Sequence, residues 1–136
     1  MMWLVKEEPT SYSFAALERD GKVTWSGVKN PLAQQHLRAI RRGDRVLYYH
    51  TGKEKAVVGV ARALGNARPD PADPAGKMAV VDFAPVERLA RPVPLATIKT
   101  LPLFADHPLV RMGRLSVMPV SAPQWRAIER AGRKGA

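Results

Sequence analysis

The chain contains no cysteine, so disulfide staples, thiolate metal sites and cysteine nucleophiles are all excluded together. A reducing, intracellular home is compatible with that composition. Long apolar runs are also missing. Nothing approaches the roughly 20 residues needed to cross a bilayer, and the opening M-M-W-L-V-K-E-E-P lacks the apolar centre of a secretory leader. The expectation is a soluble, cytoplasmic chain with no membrane partner. His36, His50 and His107 stand at no metal-ligand spacing, and there is neither a G-x-S-x-G elbow nor a glycine-rich phosphate loop carrying a lysine. No catalytic residue, metal site or cofactor is therefore assigned. No internal repeat is visible.

Acidic residues are scarce relative to basic ones. Twelve Asp and Glu oppose twenty-two Lys and Arg, giving a formal charge of +10 and a pI near 10.5. Such a balance favours a polyanionic partner, since each phosphate neutralised releases counterions. Its plainer alternative is a solubilising surface. Arginines concentrate at Arg38, Arg41, Arg42 and Arg45, and again with Lys134 at Arg126, Arg130 and Arg133. With 136 residues and 46% hydrophobic content, the chain suits one domain, 1–136, able to bury its own core.

Read in order, Met2 to Lys6 alternates as a first strand, and Thr10 to Asp20 suits a short helix with Ser13 as a cap and Gly21 as its stop. A second helix begins at Pro31, with Ala33, Leu37 and Ile40 on its dry face, Gln34, Gln35, Arg38 and Arg42 opposite, and a stop at Gly43. R-V-L-Y-Y-H (Arg45 to His50) and Ala56 to Ala63 form an antiparallel strand pair, and the adjacent tyrosines must face opposite sides of it. One tyrosine then belongs to the core and the other is available to a pocket. Gly65 to Gly76 is a surface loop, Met78 to Val86 a strand, Arg91 to Pro94 extended, and Leu95 to Leu101 a short helix closed by Pro102. Pro108 to Leu115 is irregular. Ser116 to Val120 is an edge strand because of Pro119, and a last helix opens on Ser121 and Gln124 at capping-box spacing with Trp125 and Ile128 inward. Short strands separated by short helices imply a mainly β, mixed pseudo-barrel with peripheral α-helices.

The most informative stretch is V-T-W-S-G-V-K-N, Val23 to Asn30, followed by Pro31. An aromatic plane, a small hydroxyl and a glycine in succession are the parts of a nucleobase or small-molecule pocket. Asn30 and Pro31 are also a helix cap and a first helical residue. The stretch therefore delivers a loop onto a helix N-terminus. Trp25 is open to two readings, a stacking face or a core residue at a strand end.

Together with W-L-V-K-E-E-P, Y-Y-H-T-G and R-L-S-V-M-P-V, this stretch resembles the EVE domain family, the bacterial and eukaryotic group that includes the thymocyte nuclear proteins. The resemblance runs from about Met2 to Trp125. It implies a PUA-like pseudo-barrel related to PUA, ASCH and YTH domains, and recognition of DNA or RNA carrying a modified base. It further implies a base-binding set of Trp25, Ser26, Gly27, Val28, Asn30, Tyr49, His50, Leu115 and Ser116; the basic face of the helix after Pro31 adds Arg38 and Arg42, with Lys29 and Arg114 of the motif blocks, as contacts to the nucleic-acid backbone. Tyr48 is then the core tyrosine. Many members have tyrosine where this chain has Pro31, which removes one aromatic contact.

Stacking on Trp25 or Tyr49 would contribute on the order of 1–3 kcal/mol per base. Ser26, Asn30 and the backbone near Gly27 and Ser116 would read base edges, while Val28 and Leu115 would meet a methyl or hydroxymethyl substituent. Two alternatives remain. One is an ASCH-like hydrolase of modified nucleosides or RNA using Lys6, Glu8, Thr10 and His50, although His50 at a strand end also suits a hydrogen-bonded structural role. The other is a protein-interaction module built on the basic helix.

Overall fold

The computed structural model describes residues 1–133, so Lys134 of the C-terminal basic group lies outside the described residues. Seven strands form one mixed sheet. In chain order they are β1 (Met2–Glu7), β2 (Val23–Trp25), β3 (Arg45–His50), β4 (Ala56–Ala63), β5 (Arg68–Pro69), β6 (Ala79–Pro94) and β7 (Val117–Val120). Across the sheet they run β2-β6-β4-β3-β1-β7, with β5 beside β6. Among the described residues only β1 and β3 pair in parallel. A parallel pair needs a long crossover, and the chain supplies it with α1 (Pro9–Tyr12), α2 (Phe14–Asp20), β2 and α3 (Pro31–Ala39).

The sheet curls into a half-barrel because its longest strand is bent. The β4–β6 register shifts twice, between Val57 and Gly59 and between Val60 and Ala61, and such bulges bend a strand and increase its twist. Pro85 sits at the second shift, opposite Ala61, where a residue without an N–H is tolerated. Helix α3 packs against both β6, near one end of the sheet, and β7, at the other. It thereby spans the open side of the curl. Three short helical segments, α4 (Leu95–Ile98), a 3₁₀ turn (Pro102–Phe104) and α5 (Pro108–Arg111), precede β7, and α6 (Ala122–Ala131) follows it.

Most expected elements form, and the departures have local causes. Ser13 caps α2, accepting from Ala16 N at 3.0 Å, so the helix expected over Thr10 to Asp20 is two helices broken at its own cap. Helix α3 ends at Ala39 and not at Gly43. Ile40 is already extended, and Asp44 ties the following turn by accepting from Arg41 N at 2.9 Å. The 65–76 loop contains β5, the strand expected over Met78 to Val86 and the extended Arg91 to Pro94 are one strand, Ala79–Pro94, and α5 occupies a segment read as irregular. The Ser121–Gln124 capping box closes as expected.

Candidate functional site

Strand β2 ends on Trp25, whose register partner is Val81 of β6. The indole is 6% exposed, lying edge-on to Tyr48 with ring centres 5.5 Å apart and tilted 5.7 Å from Phe83. Beyond it the chain leaves the sheet. Ser26 and Gly27 are exposed, and Gly27 takes a φ of 73°, a left-handed conformation that glycine adopts without a Cβ penalty. Val28 turns its side chain inward again, while Lys29 and Asn30 face solvent. Asn30 caps α3, its Oδ1 accepting from Ala33 N at 3.0 Å, and Pro31 occupies the first turn.

The loop is held from beneath by a residue that sequence reasoning put on the wrong side. Gln34, expected on the wet face of α3, is 3% exposed. Its Nε2 donates to Val28 O at 2.6 Å, and its Oε1 accepts from Ala79 N at 2.9 Å. One side-chain amide thus satisfies a buried carbonyl of the loop and a buried N–H at the start of β6. At about 100° per residue, position 34 falls beyond the arc marked by Ala33, Leu37 and Ile40, so helical spacing alone left it on the wet face.

The remaining candidates do not join this loop. Tyr48 and Tyr49 point to opposite faces of β3, as expected, but both are buried, Tyr49 at 3% exposure. Tyr48 shares its face with Trp25. Tyr49 lies on the other face beneath Lys6, whose Nζ is 5.8 Å from the ring centre. Lys6 also donates from its backbone N to Ser116 O and from Nζ to Gly113 O, each at 2.9 Å, so Tyr49, Ser116 and the exposed Arg114 gather around Lys6. Trp25 and Tyr49 therefore do not frame one cleft, and neither ring presents a free face. Leu115 is buried.

His50 is fully committed. Its Nε2 accepts from Phe14 N at 3.0 Å, which places the ring proton on Nδ1, and Nδ1–H donates to Glu54 Oε1 at 2.6 Å. No ring nitrogen remains for a ligand or a proton transfer. Glu8 accepts from the Thr51 hydroxyl at 3.0 Å, and Thr10 is exposed on α1. Burial lowers the Lys6 ammonium from its ordinary value, yet its hydrogen bond goes to a carbonyl of the turn before β7. Lys6, Glu8 and His50 are each engaged by a different partner, and no hydrogen bond links them to one another among the described residues. Among the described residues no group of three or more His, Asp or Glu could hold a metal ion, and no helix is long and apolar enough to cross a membrane.

The exposed cations are placed differently. Lys29 stands in the loop, and Arg38, Arg41 and Arg42 follow on or just after α3. Among the described residues none of these four, nor Arg114, is in an ion pair. Arg38 is held instead by the Lys77 carbonyl, and Arg42 by its backbone N donating to Asn66 Oδ1 at 2.9 Å. Their charge is left facing solvent.

A family model described as the EVE domain matches residues 1–131. The chain belongs to the EVE domain family. Among solved EVE-like structures, Rpa0253 from Rhodopseudomonas palustris is 41% identical and superposes with a TM-score of 0.91 over 96% of this chain and 92% of its own. Human thymocyte nuclear protein 1 is 31% identical over 124 residues, covering 72% of this chain; the match spans 55% of the human protein's length. A crystal structure of human THYN1 in complex with DNA containing 5-methylcytosine superposes at TM-score 0.89 and 24% identity over 99% of each chain. At that identity it speaks for the fold alone. So does an ASCH protein from Zymomonas mobilis, with a TM-score of 0.57 and 12% identity over 92% of this chain and 91% of that one. These comparisons establish the expected family and PUA-like architecture for this EVE domain.

Proposed function

We propose that this EVE domain is a nucleic-acid-binding module that recognises a modified base at the Ser26–Asn30 loop and draws the backbone along the basic flank of α3. The observation that carries the reading is the junction itself. Exposed Ser26, Gly27, Lys29 and Asn30 sit at the head of a helix whose Arg38, followed by Arg41 and Arg42, has no acidic partner among the described residues. Short polar groups and an approachable backbone suit base-edge contacts, and unpaired guanidinium groups suit phosphates. Human thymocyte nuclear protein 1, the 31% identical relative, has been crystallised with DNA containing 5-methylcytosine, which supports the same ligand class.

Within this reading Ser26, Asn30 and the backbone at Gly27 read the base edge, and Val28 and Trp25 form the apolar floor. Ser116 and Arg114 lie apart from the loop, beside Lys6 and the buried Tyr49, and Leu115 is a core residue. His50 holds α2 in place. The test is a binding panel of short oligonucleotides, each with one modified base, against the unmodified control. Ser26→Ala should narrow the preference between them, because a site built to pair a polar group discriminates through that pair. Arg38→Ala with Arg42→Ala should flatten the salt dependence by about 0.7–0.9 per lost phosphate contact without changing the preference. Salt-independent affinity would remove the polyanion reading.

Lys6 is the observation that favours the hydrolase alternative, being a partly desolvated amine. Incubation with modified nucleosides and RNA decides it. Recovery of intact material supports the binder, whereas turnover abolished by Lys6→Ala would replace it.

A further inference from the structure

The 65–76 segment does more than connect β4 to β6. Asp73 organises its end, accepting backbone N–H bonds from Ala75 at 3.1 Å, Lys77 at 2.9 Å and Met78 at 2.8 Å. Those bonds hold the Asp73 carboxyl below its ordinary range. The turn they build lays Lys77 beside the last turn of α3, where the Lys77 carbonyl accepts from the Arg38 guanidinium. Strand β5 brings Arg68 to the same place, opposite Val80. Between them lies a cleft of about 280 Å³ lined by Arg38, Arg68, Lys77, Pro69, Met78 and Ala79 among others.

The chemistry of this cleft is specific. Arg68 is matched by Asp82 at 3.0 Å and Lys77 stands near the Asp73 carboxylate that anchors its turn, whereas Arg38 has no acidic partner among the described residues. Three cations and no carboxylate line the cleft itself, and its wall includes apolar Pro69 and Met78. Its lining offers guanidinium and ammonium groups but no aromatic side chain on which a base could stack, so it suits a phosphate and its sugar more than a stacked base.

The cleft is also registered to the proposed base site, on which this inference rests. Ala79, on its wall, is bonded to Gln34, which holds Val28 of the loop. From the Asn30 cap to Arg38 the helix rises ~12 Å at 1.5 Å per residue. A stacked strand rises 3.4 Å per nucleotide, so that distance corresponds to about two to four nucleotides, depending on how far the strand is extended.

We propose that the cleft between the end of α3, β5 and the start of β6 is a phosphodiester site that grips the strand about two to four nucleotides from the base held at the Ser26–Asn30 loop. Bound strand polarity is then fixed, because only one direction from the base leads along α3.

The experiment is fluorescence anisotropy on the full chain with single-stranded DNA oligonucleotides carrying one 5-methylcytosine, lengthened nucleotide by nucleotide on one side or the other. The expected result is a step in affinity of about tenfold, reached within about two to four added nucleotides on one side only. In a variant combining Arg38→Gln with Lys77→Gln, the ratio of long to short oligonucleotide should be flat. Glutamine keeps a donor for the Lys77 carbonyl, and a melting curve matching the parent's verifies the fold. An equal, gradual rise from both sides, or a step that survives in the variant, overturns the proposal. The same series without the methyl group separates the two ideas: a step with no preference for the methylated base leaves the cleft standing and removes the base reading.

Discussion

Gln34 donates to the carbonyl of Val28 across 2.6 Å inside the protein, and the same amide takes the backbone N–H of Ala79. A surface loop is thereby fastened to the sheet through one side chain of the helix it introduces. Gln34→Ala leaves two buried backbone groups without partners, a cost of about 2–6 kcal/mol at 1–3 kcal/mol each. Gln34→Glu should be similarly harmful because a carboxylate cannot donate to Val28. Chemical denaturation measures the cost, and hydrogen exchange should show Ala79 N–H losing protection before the core strands.

Asn30 separates stability from recognition. Asn30→Ala should cost about 0.5–2 kcal/mol through the lost cap. Asn30→Asp retains the acceptor for Ala33 N and suits the helix N-terminus, yet it places a negative charge in the proposed nucleic-acid loop. The Asp variant should melt at or above the parent temperature and bind oligonucleotides more weakly. Parental affinity in that variant would show that the loop is not the site.

Asp44 and Glu7 should give pH effects of opposite sign. Burial alone would raise the Asp44 carboxyl, but hydrogen bonds from the Trp3 indole, the Arg41 backbone and the chain's amino group outweigh it and hold the group below 3.8. Its folded value is depressed, so its stabilisation is present above pH 3.8 and is lost as pH falls through the lower folded value. Asp44→Ala should be destabilised at neutral pH by about 1–3 kcal/mol, since the buried Trp3 indole N–H loses its acceptor, with the gap to the parent closing in acid. Glu7 is raised above 4.5 by burial first, with the neighbouring Glu8 charge adding to it. That contribution is present below pH 4.5 and is lost as pH rises through the folded value. Glu7→Gln should therefore melt higher than the parent near neutrality and equal to it in acid. Thermal melts across pH check both.

Gly59 tests the packing of β4. A Cβ there would meet the Phe14 ring at 2.5 Å, and Phe14 is fully buried. Gly59→Ala should cost about 1–3 kcal/mol by overpacking. Adding Phe14→Leu should recover part of the loss, whereas additive costs would mean that the two sites do not touch.

The sequence by itself determined the elements whose signals are local. Ser13, Asn30 and Ser121 each cap the helix their spacing indicates, since a cap needs only its own backbone two or three residues on. Adjacent tyrosines at 48 and 49 had to face opposite ways because side chains alternate along a strand, and the motif blocks named the EVE family that the comparison establishes. The tertiary structure decided what those side chains meet. Whether Trp25 offers a face depended on Tyr48 and Phe83 arriving from other strands, and the division of Trp25 from Tyr49 followed from a sheet that separates them. Gln34 could be placed in the interior only once Val28 and Ala79, 6 and 45 residues away along the chain, supplied its hydrogen bonds. Arg38, Arg68 and Lys77 became one cleft only when the 65–76 segment folded back over α3. Capping and alternation act over a few residues of backbone, whereas burial and charge clustering depend on which distant segments the sheet brings together, so the loop was legible in the chain and its surroundings were not.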